Sequence, residues 1–343
     1  MTEPVPPVVL PGHDIITIGA SAGGLAPLQR ILHDLPADLP AAVFVVMHVG
    51  RTSRLAEVLQ HAGALPVKRA AAGEPVRWGQ VYVAVPGCHL MLHGSHLLLR
   101  HGPTENLVRP AIDPLFRSAA ASFGSRVVGV VLSGALNDGS AGLRAIQRCG
   151  GVTVVQDPAD AAVPEMPRSA LRHLGVDECV PTAGIGPLLA HLARTPPGPA
   201  PPVPFDIRLE AAIAAQEFPS MDNTDRLGTP SRFVCPECHG ALWEINDGAM
   251  LRYRCHVGHA YTGEALMAAQ AVQIEETLWS LLRAHKERAA IIRRLIERTP
   301  SGDQTGLLQG RAEEAERDAA LVSSLLQRPS STAGAEEPGD DAV

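Results

Sequence analysis

Residues 15–24, IITIGASAGG, leave a chain few ways to fold. Apolar, β-favouring residues run into a glycine-flanked serine, and residues 25–35 then carry helical periodicity. The stretch reads as strand, tight turn and helix, with Ser21 in the turn. Gly19 and Gly23 frame that serine as G-x-S-x-G, the pattern of a nucleophile elbow. A serine so placed stands above a sheet edge, facing the first N–H groups of the next helix, which lack intrahelical partners. Such donors suit the negative oxygen of a tetrahedral intermediate. An ordinary strand-to-helix turn or a phosphate-binding loop uses a similar pattern, so the rest of the chain has to decide.

Strands and helices alternate over residues 13–195. Residues 43–47 (VFVVM) form a continuous apolar run bounded by Pro40 and Gly50, as a buried parallel strand requires, and His48 follows directly. Residues 54–62 read as a helix, 81–85 and 96–100 as shorter strands, and 112–122 as a helix. Residues 127–132 (VVGVVL) form another buried strand, followed by a helix over 141–148 and a strand over 152–156. The predicted fold class is α/β, a doubly wound and mostly parallel sheet. The carboxyl ends of such strands share one edge, where ligands bind. That edge collects Ser21 and His48, each just past a strand, and Asp138, a few residues past a later one. Taken singly, the histidine fits a structural hydrogen bond and the aspartate fits Asn-Asp-Gly turn chemistry. Together the three supply what acyl transfer needs, namely a nucleophile, a base and a group that orients the base. The order Ser, His, Asp differs from the Ser, Asp/Glu, His of α/β-hydrolases. The spacing G-x-x-x-G-G, and a histidine ending the second strand, depart from a dinucleotide fingerprint.

A chain of 343 residues, 45% hydrophobic and 19% charged, has enough length for a sizeable core and an added module. Its net charge of −7 argues against nucleic acid as a partner. The start, MTEPVPPVVLPGHD, lacks a basic region before its short apolar run, and no apolar stretch is long enough to span a bilayer. The expectation is a cytoplasmic protein without membrane insertion. Cys88, Cys149 and Cys179 are isolated while Cys235, Cys238 and Cys255 are grouped, which is metal-like usage in a reducing compartment.

Residues 1–12 read as a tail. The Pro-rich TPPGPAPPVP at 195–204 marks a boundary, and a linker over 196–230 is expected to hold a short helix at 209–218. Residues 231–262 then read as a small zinc-ribbon-like β module. Cys235-x-x-Cys238 and Cys255-x-x-x-His259 fit a closed, four-ligand structural Zn²⁺ site, with His256 and His239 as rival ligands. Between the two pairs, WEINDGAMLRYR reads as a hairpin turning at Asn-Asp-Gly. From 263 to 327 the pattern is a helical hairpin. Met267, Ala271, Ile274, Leu278, Leu281, Ile292 and Leu295 follow helical spacing, His285 and Arg288 interrupt it, and a second helix covers 309–326. A helix-mediated oligomer or a docking surface is the alternative reading of that seam. The acidic, Ser- and Pro-rich residues 328–343 read as disordered.

Four motifs in this order (IGASAGG, Met47-His48, RPAID at 109–113 and LSGALNDGSAG at 132–142) resemble the catalytic domain of the CheB-type chemotaxis protein-glutamate methylesterases. The resemblance covers roughly residues 13–193. It implies hydrolysis of glutamate γ-methyl esters on methyl-accepting chemoreceptors, or other carboxyl-methylated signalling proteins, with release of methanol. Glutamine deamidation is a second activity of some members, and no cofactor is implied for catalysis. By position, Ser21 is the implied nucleophile, His48 the general base and Asp138 its orienting acid. Ala22, Gly23, Ala135 and Arg109 fall in the oxyanion and active-site neighbourhood, and Pro110 and Asp113 belong to the same motif as Arg109. Two departures stand out. Ala22 replaces a threonine common in the family, which bears on rate rather than reaction type. Only about twelve residues precede the first strand, so the reading expects control by something other than a phospho-receiver domain within this chain. Similar appended segments occur in CheB-like proteins that lack a receiver. The alternative from another class is a non-catalytic adaptor that keeps the fold and binds signalling partners through its zinc and helical region. All three triad residues being present favours the enzyme.

Overall fold

The structure, a computed structural model, describes residues 12–50, 52–217, 225–248, 250–298 and 303–328. The predicted terminal tails lie outside these residues except for Gly12 and Arg328. Two compact units emerge, one extending through Leu266 and the other beginning at Met267.

The first unit is built on seven parallel strands: β1 (Ile15–Ala20), β2 (Ala42–Met47), β3 (Val67–Arg69), β4 (Val81–Val83), and beyond the hairpin β5 (His89–His93) and β6 (His96–Arg100), β7 (Val127–Val131), β8 (Val152–Gln156) and β9 (Glu178–Val180). Their spatial order is β3-β4-β2-β1-β7-β8-β9, with β1 at the centre. The order reverses at β1, so its carboxyl end is the switch point of the sheet, flanked by the ends of β2 and β7. The continuous apolar runs are explained by coverage on both faces. Ile16, Ile18, Val43 and Val45 pack with Leu28 and Ile31 of α1 (Leu25–Asp34) and with Ile185 and Leu189 of α6 (Thr182–Leu192). Ile15, Phe44 and Val46 pack with Leu115 and Phe116 of α3 (Ile112–Phe123) and with Leu143 and Ile146 of α4 (Ser140–Arg148). Each such side chain contributes about 1.5–3 kcal/mol by leaving water.

Several elements differ from the sequence reading. The helix expected over 54–62 is the five-residue α2 (Leu55–Leu59). Strands β3 and β9 have three residues each, too few to reveal a period. Helix α5 (Glu165–His173) follows Pro164 and contains Pro167 in its first turn, and α6 carries Pro187, so both look broken in sequence. The short helix after the Pro-rich stretch is α7 (Phe205–Ala214), earlier than expected.

A second, antiparallel sheet also lies in this unit: β10 (Gly228–Val234), β11 (Ala241–Asp247), β12 (Met250–Cys255) and β13 (Ala260–Thr262), in that order. Gly248 takes φ 65° after Asn246-Asp247, as a tight hairpin turn requires. Buried charges tie this sheet to the first. Arg252 and Arg254 of β12 reach Glu210 of α7, and Arg254 also meets Glu105, which pairs with Arg117 of α3. Arg252 also bonds Asp247, whose other oxygen takes Arg144 Nε of α4 at 2.7 Å. Burial pushes the Glu105 carboxyl up, but Arg117 and Arg254 outweigh it and hold it at about 2. Glu210, equally buried, sits well below the usual carboxylate range because Arg252, Arg117 and Arg254 surround it.

Two helices account for the remainder, α8 (Gly263–Arg298), which starts in the first unit, and α9 (Asp303–Leu326). α9 begins six residues before its expected start at 309. In the second unit Leu282 packs with Ala319 and Val322, and Arg293 grips Glu316 with two bonds of 2.7 and 2.9 Å. Among the described residues no helix is long and apolar enough to cross a membrane.

Candidate active site and metal centre

Ser21, His48 and Asp138 follow β1, β2 and β7, three neighbouring strands of the central sheet. The turn holding Ser21 is tied on both sides. Its N–H donates to Ser133 O (2.9 Å), and His48 N–H donates to Ala20 O (3.1 Å). Ser133 Oγ in turn donates to Ala22 O (2.8 Å). Gly23 takes φ 71°, and a Cβ there would lie 2.7 Å from Ala162 Cβ and 2.8 Å from Ser133 Oγ, so only glycine fits.

A continuous hydrogen-bonded chain results. His48 Nδ1 lies 3.0 Å from Ser21 Oγ, and His48 Nε2 lies 2.8 Å from Asp138 Oδ2. The carboxylate partner assigns the proton to Nε2, which leaves Nδ1 as an acceptor for the serine hydroxyl. The His48 side chain is 14% exposed and that of Asp138 is 2% exposed, so the chain runs from the surface into the protein. Asp138 Oδ2 also accepts Ile112 N–H (2.6 Å). Its Oδ1 accepts Asn106 Nδ2 (3.0 Å), Gly139 N–H (3.0 Å) and Asp113 N–H (3.3 Å). Burial raises the affinity of Asp138 for a proton, but the His48 bond and charge, Ile112 N–H and Asn106 reverse that, and its pKa is lowered. Asp113, buried beside it, shows the opposite outcome: burial and the Asp138 charge push it up to about 7.

The predicted neighbours separate. Ala22 and Gly23 follow Ser21 and Ala135 follows Gly134, and among the described residues no acceptor takes the N–H groups of Ala22, Gly23 or Ala135. A Cβ on Gly134 would lie 2.7 Å from Ser21 Cβ, which shows how closely the loop after β7 abuts the serine. Leu136 N–H in that loop donates to Glu165 Oε2 (2.8 Å). Arg109 donates to Gly102 O (2.5 Å) and meets His101 Nε2 (3.0 Å). Asp113 and Asn106 touch the triad acid instead. Sequence reasoning assigned Asp113 no role and passed over Asn106, which stands in an aperiodic stretch at φ 51°.

Cys235, Cys238, Cys255 and His259 converge, with their ligand atoms all within 4.8 Å of one another. Cys238 Sγ and Cys255 Sγ lie 3.6 Å apart, and His259 Nδ1 lies 3.5 Å from Cys255 Sγ and 3.7 Å from Cys235 Sγ. A tetrahedron with Zn–S about 2.3 Å and Zn–N about 2.05 Å has S–S edges of about 3.8 Å and S–N edges of about 3.6 Å. The donor set and its spacing therefore fit a structural zinc ion, with Nδ1 as the imidazole ligand. His259 Nε2 is 3.4 Å from Glu237 Oε2, the carboxylate partner that fixes a ligating imidazole. The rivals are placed elsewhere. The ring of His256 lies against Trp243 with centroids 3.9 Å apart, and His239 is exposed.

An open parallel sheet whose carboxyl edge carries a Ser–His–Asp chain defines the class as α/β proteins with a serine-hydrolase arrangement. The family model described as "CheB methylesterase" matches residues 16–189, and the chain belongs to that family. A protein-glutamate methylesterase/protein-glutamine glutaminase 2 of Anaeromyxobacter dehalogenans is 40% identical over 183 residues, covering 53% of this chain and 54% of the relative. A Moorella thermoacetica protein-glutamate methylesterase/protein-glutamine glutaminase is 40% identical over 190 residues, covering 53% and 45%. The chain thus spans about half the length of these relatives. A Leptospira interrogans relative, 35% identical, is matched over 52% of this chain and 95% of its own length. The crystal structure of the Thermotoga maritima CheB methylesterase catalytic domain superposes with a TM-score of 0.50 at 33% identity, covering 52% of this chain and 98% of that domain.

Proposed function

We propose that the chain is a cytoplasmic protein-glutamate methylesterase that cleaves glutamate γ-methyl esters on methyl-accepting chemoreceptors, and that it also deamidates receptor glutamines. The observation that carries this reading is the unbroken Ser21–His48–Asp138 chain in a member of the CheB methylesterase family. Ser21 Oγ attacks the ester carbonyl as His48 Nδ1 takes its proton. Asp138 stabilises the resulting imidazolium and holds the ring. The N–H groups of Ala22, Gly23 and Ala135, free of protein acceptors among the described residues, are the donors at hand for the oxyanion. His48 returns the proton to the departing methoxide, releasing methanol. Water then attacks the acyl-serine by the same route in reverse and frees the glutamate. With glutamine the leaving group is ammonia and the product is the same.

Ala22 offers only its backbone here, with no side-chain hydroxyl beside the nucleophile. The zinc ion that the Cys3His set fits would be structural, since four protein ligands leave no open position for a reacting group. An adaptor has no use for a base held 3.0 Å from a nucleophile and anchored by a buried carboxylate, so the enzyme reading stands ahead of it. The test is methanol release from a carboxyl-methylated chemoreceptor cytoplasmic fragment. Wild type is expected to release methanol and Ser21→Ala none. Equal release from both proteins would overturn the reading.

A further inference from the structure

The zinc module does more than fold beside the esterase domain, because its last strand supports the triad acid. Residues 103–106 run alongside β13. Asn106 N–H donates to Ala260 O (2.8 Å), Ala260 N–H donates to Thr104 O (3.4 Å), and Glu105 forms a parallel bridge with Ala260. Ala260 directly follows the ligand His259. A second link runs through Glu237, which meets His259 Nε2, accepts Tyr261 Oη (2.8 Å) and accepts Thr104 Oγ1 (2.6 Å). The fixed strand then places Asn106. Thr262 N–H donates to Asn106 Oδ1 (3.1 Å), while Asn106 Nδ2 donates to Asp138 Oδ1 (3.0 Å) and Asp113 Oδ2 (2.9 Å). Both N–H donors of this 5%-exposed amide are used, and its oxygen accepts one bond. Thr262 Oγ1 also donates to Asn137 Oδ1 (2.8 Å), and Asn137 Nδ2 donates to Glu264 (2.8 Å), so the residue before Asp138 is held from the same side.

We propose that Asn106 is a positioning residue for Asp138 and that the metal centre, through β13 and Glu237, sets its position, making Ser21 reactivity dependent on metal occupancy. The inference rests on the triad reading above. Buried polar networks act as units, and a half-satisfied one is worse than none. With β13 displaced, Asn106 loses the Thr262 and Ala260 bonds that aim its amide. Asp138 then loses one of three donors on the oxygen opposite His48, which loosens the carboxylate that anchors the imidazole. Partners one bond removed from a working group typically carry ten- to hundredfold effects.

Asn106→Asp tests this with little backbone disturbance. Asp matches Asn in shape and tolerates the left-handed conformation, yet it offers at most one donor where Asp138 and Asp113 together take two. The readouts, on the full-length protein, are the rate of covalent labelling of Ser21 by a fluorophosphonate probe and zinc retention in competition with a chelator. The thermal transition is followed as a check on folding. Zinc-loaded wild type is expected to label rapidly, and stripping the metal to slow labelling by about tenfold or more. Zinc-loaded Asn106→Asp, with its thermal transition preserved, is expected to label as slowly as stripped wild type and to slow no further when stripped. It should also release zinc more readily, because coupling free energies are reciprocal. Wild-type labelling by zinc-loaded Asn106→Asp, equal slowing of both proteins on stripping, or unchanged zinc retention would each overturn the coupling. Failure of zinc-loaded wild type to label at all would count against the triad itself, so the two failures are distinguishable.

Discussion

Replacing Asp138 by Asn changes one atom at the most heavily bonded carboxylate of the site. Five donors converge on it: His48 Nε2 and Ile112 N–H on Oδ2, and Asn106 Nδ2, Gly139 N–H and Asp113 N–H on Oδ1. An amide has one oxygen to offer, so its NH₂ group must face donors in either orientation. With the NH₂ toward Oδ1 it opposes three of them. The less conflicted choice points it at His48 and Ile112, and His48 Nε2 must then accept. The ring proton moves to Nδ1, 3.0 Å from Ser21 Oγ, where a lone pair is needed to take the serine proton. The same tautomer error in a serine protease lowers kcat by about 10⁴, which corresponds to about 5.5 kcal/mol of transition-state stabilisation. Stranding Ile112 N–H in the interior costs a further 1–3 kcal/mol of folding stability, roughly. Demethylation kinetics together with urea unfolding separate the two effects: the expected result is a folded protein with kcat down about four orders of magnitude. An Asp138→Asn protein within about tenfold of wild type would refute the orienting role of the carboxylate.

Two further outcomes contrast a buried ion pair with an exposed one. Arg252→Met leaves Glu210 and Asp247 without their shared partner in the interior and should lower unfolding stability by about 3–5 kcal/mol in urea. Arg293→Ala, which breaks an exposed pair, should change it by less than about 1 kcal/mol. Stability should also respond to pH in two windows. Glu105 is held below its unfolded value, so its contribution is present at neutral pH and is lost as pH falls from about 4.5 through 2, amounting to about 3 kcal/mol. Asp113 is raised to about 7, so the folded state is favoured while it stays protonated, and stability declines as pH rises from about 4 through 7. Urea midpoints across pH should lose the second slope in Asp113→Asn, and a slope that persists would contradict the assignment.

The convergence of Ser21, His48 and Asp138 could be read from sequence because it rests on topology. Apolar runs such as VFVVM announce buried parallel strands, and residues just past their carboxyl ends meet on one edge whatever their separation in the chain. The metal ligands were legible for a different reason, since C-x-x-C spacing carries its own geometry. The rest depended on partners that no local pattern names. Nothing in the short strand pattern marks Arg252 and Arg254 as buried, yet Arg254 is buried against Glu105, 149 residues away. Asn106 follows no periodicity, and its partners, Thr262 of β13 and Asp138, are both distant in sequence. Helix α6 was hidden by an internal proline, and β3 and β9, of three residues each, were too short to show a face.

The central claim is that Ser21 attacks a glutamate methyl ester and water resolves the acyl-enzyme. The most direct measurement is demethylation of a methylated receptor fragment in water enriched in heavy oxygen, followed by mass spectrometry of both products. The account predicts that the heavy isotope enters the new glutamate carboxylate and not the methanol, with turnover abolished in Ser21→Ala. Heavy oxygen in the methanol, or turnover that survives loss of Ser21, would contradict it.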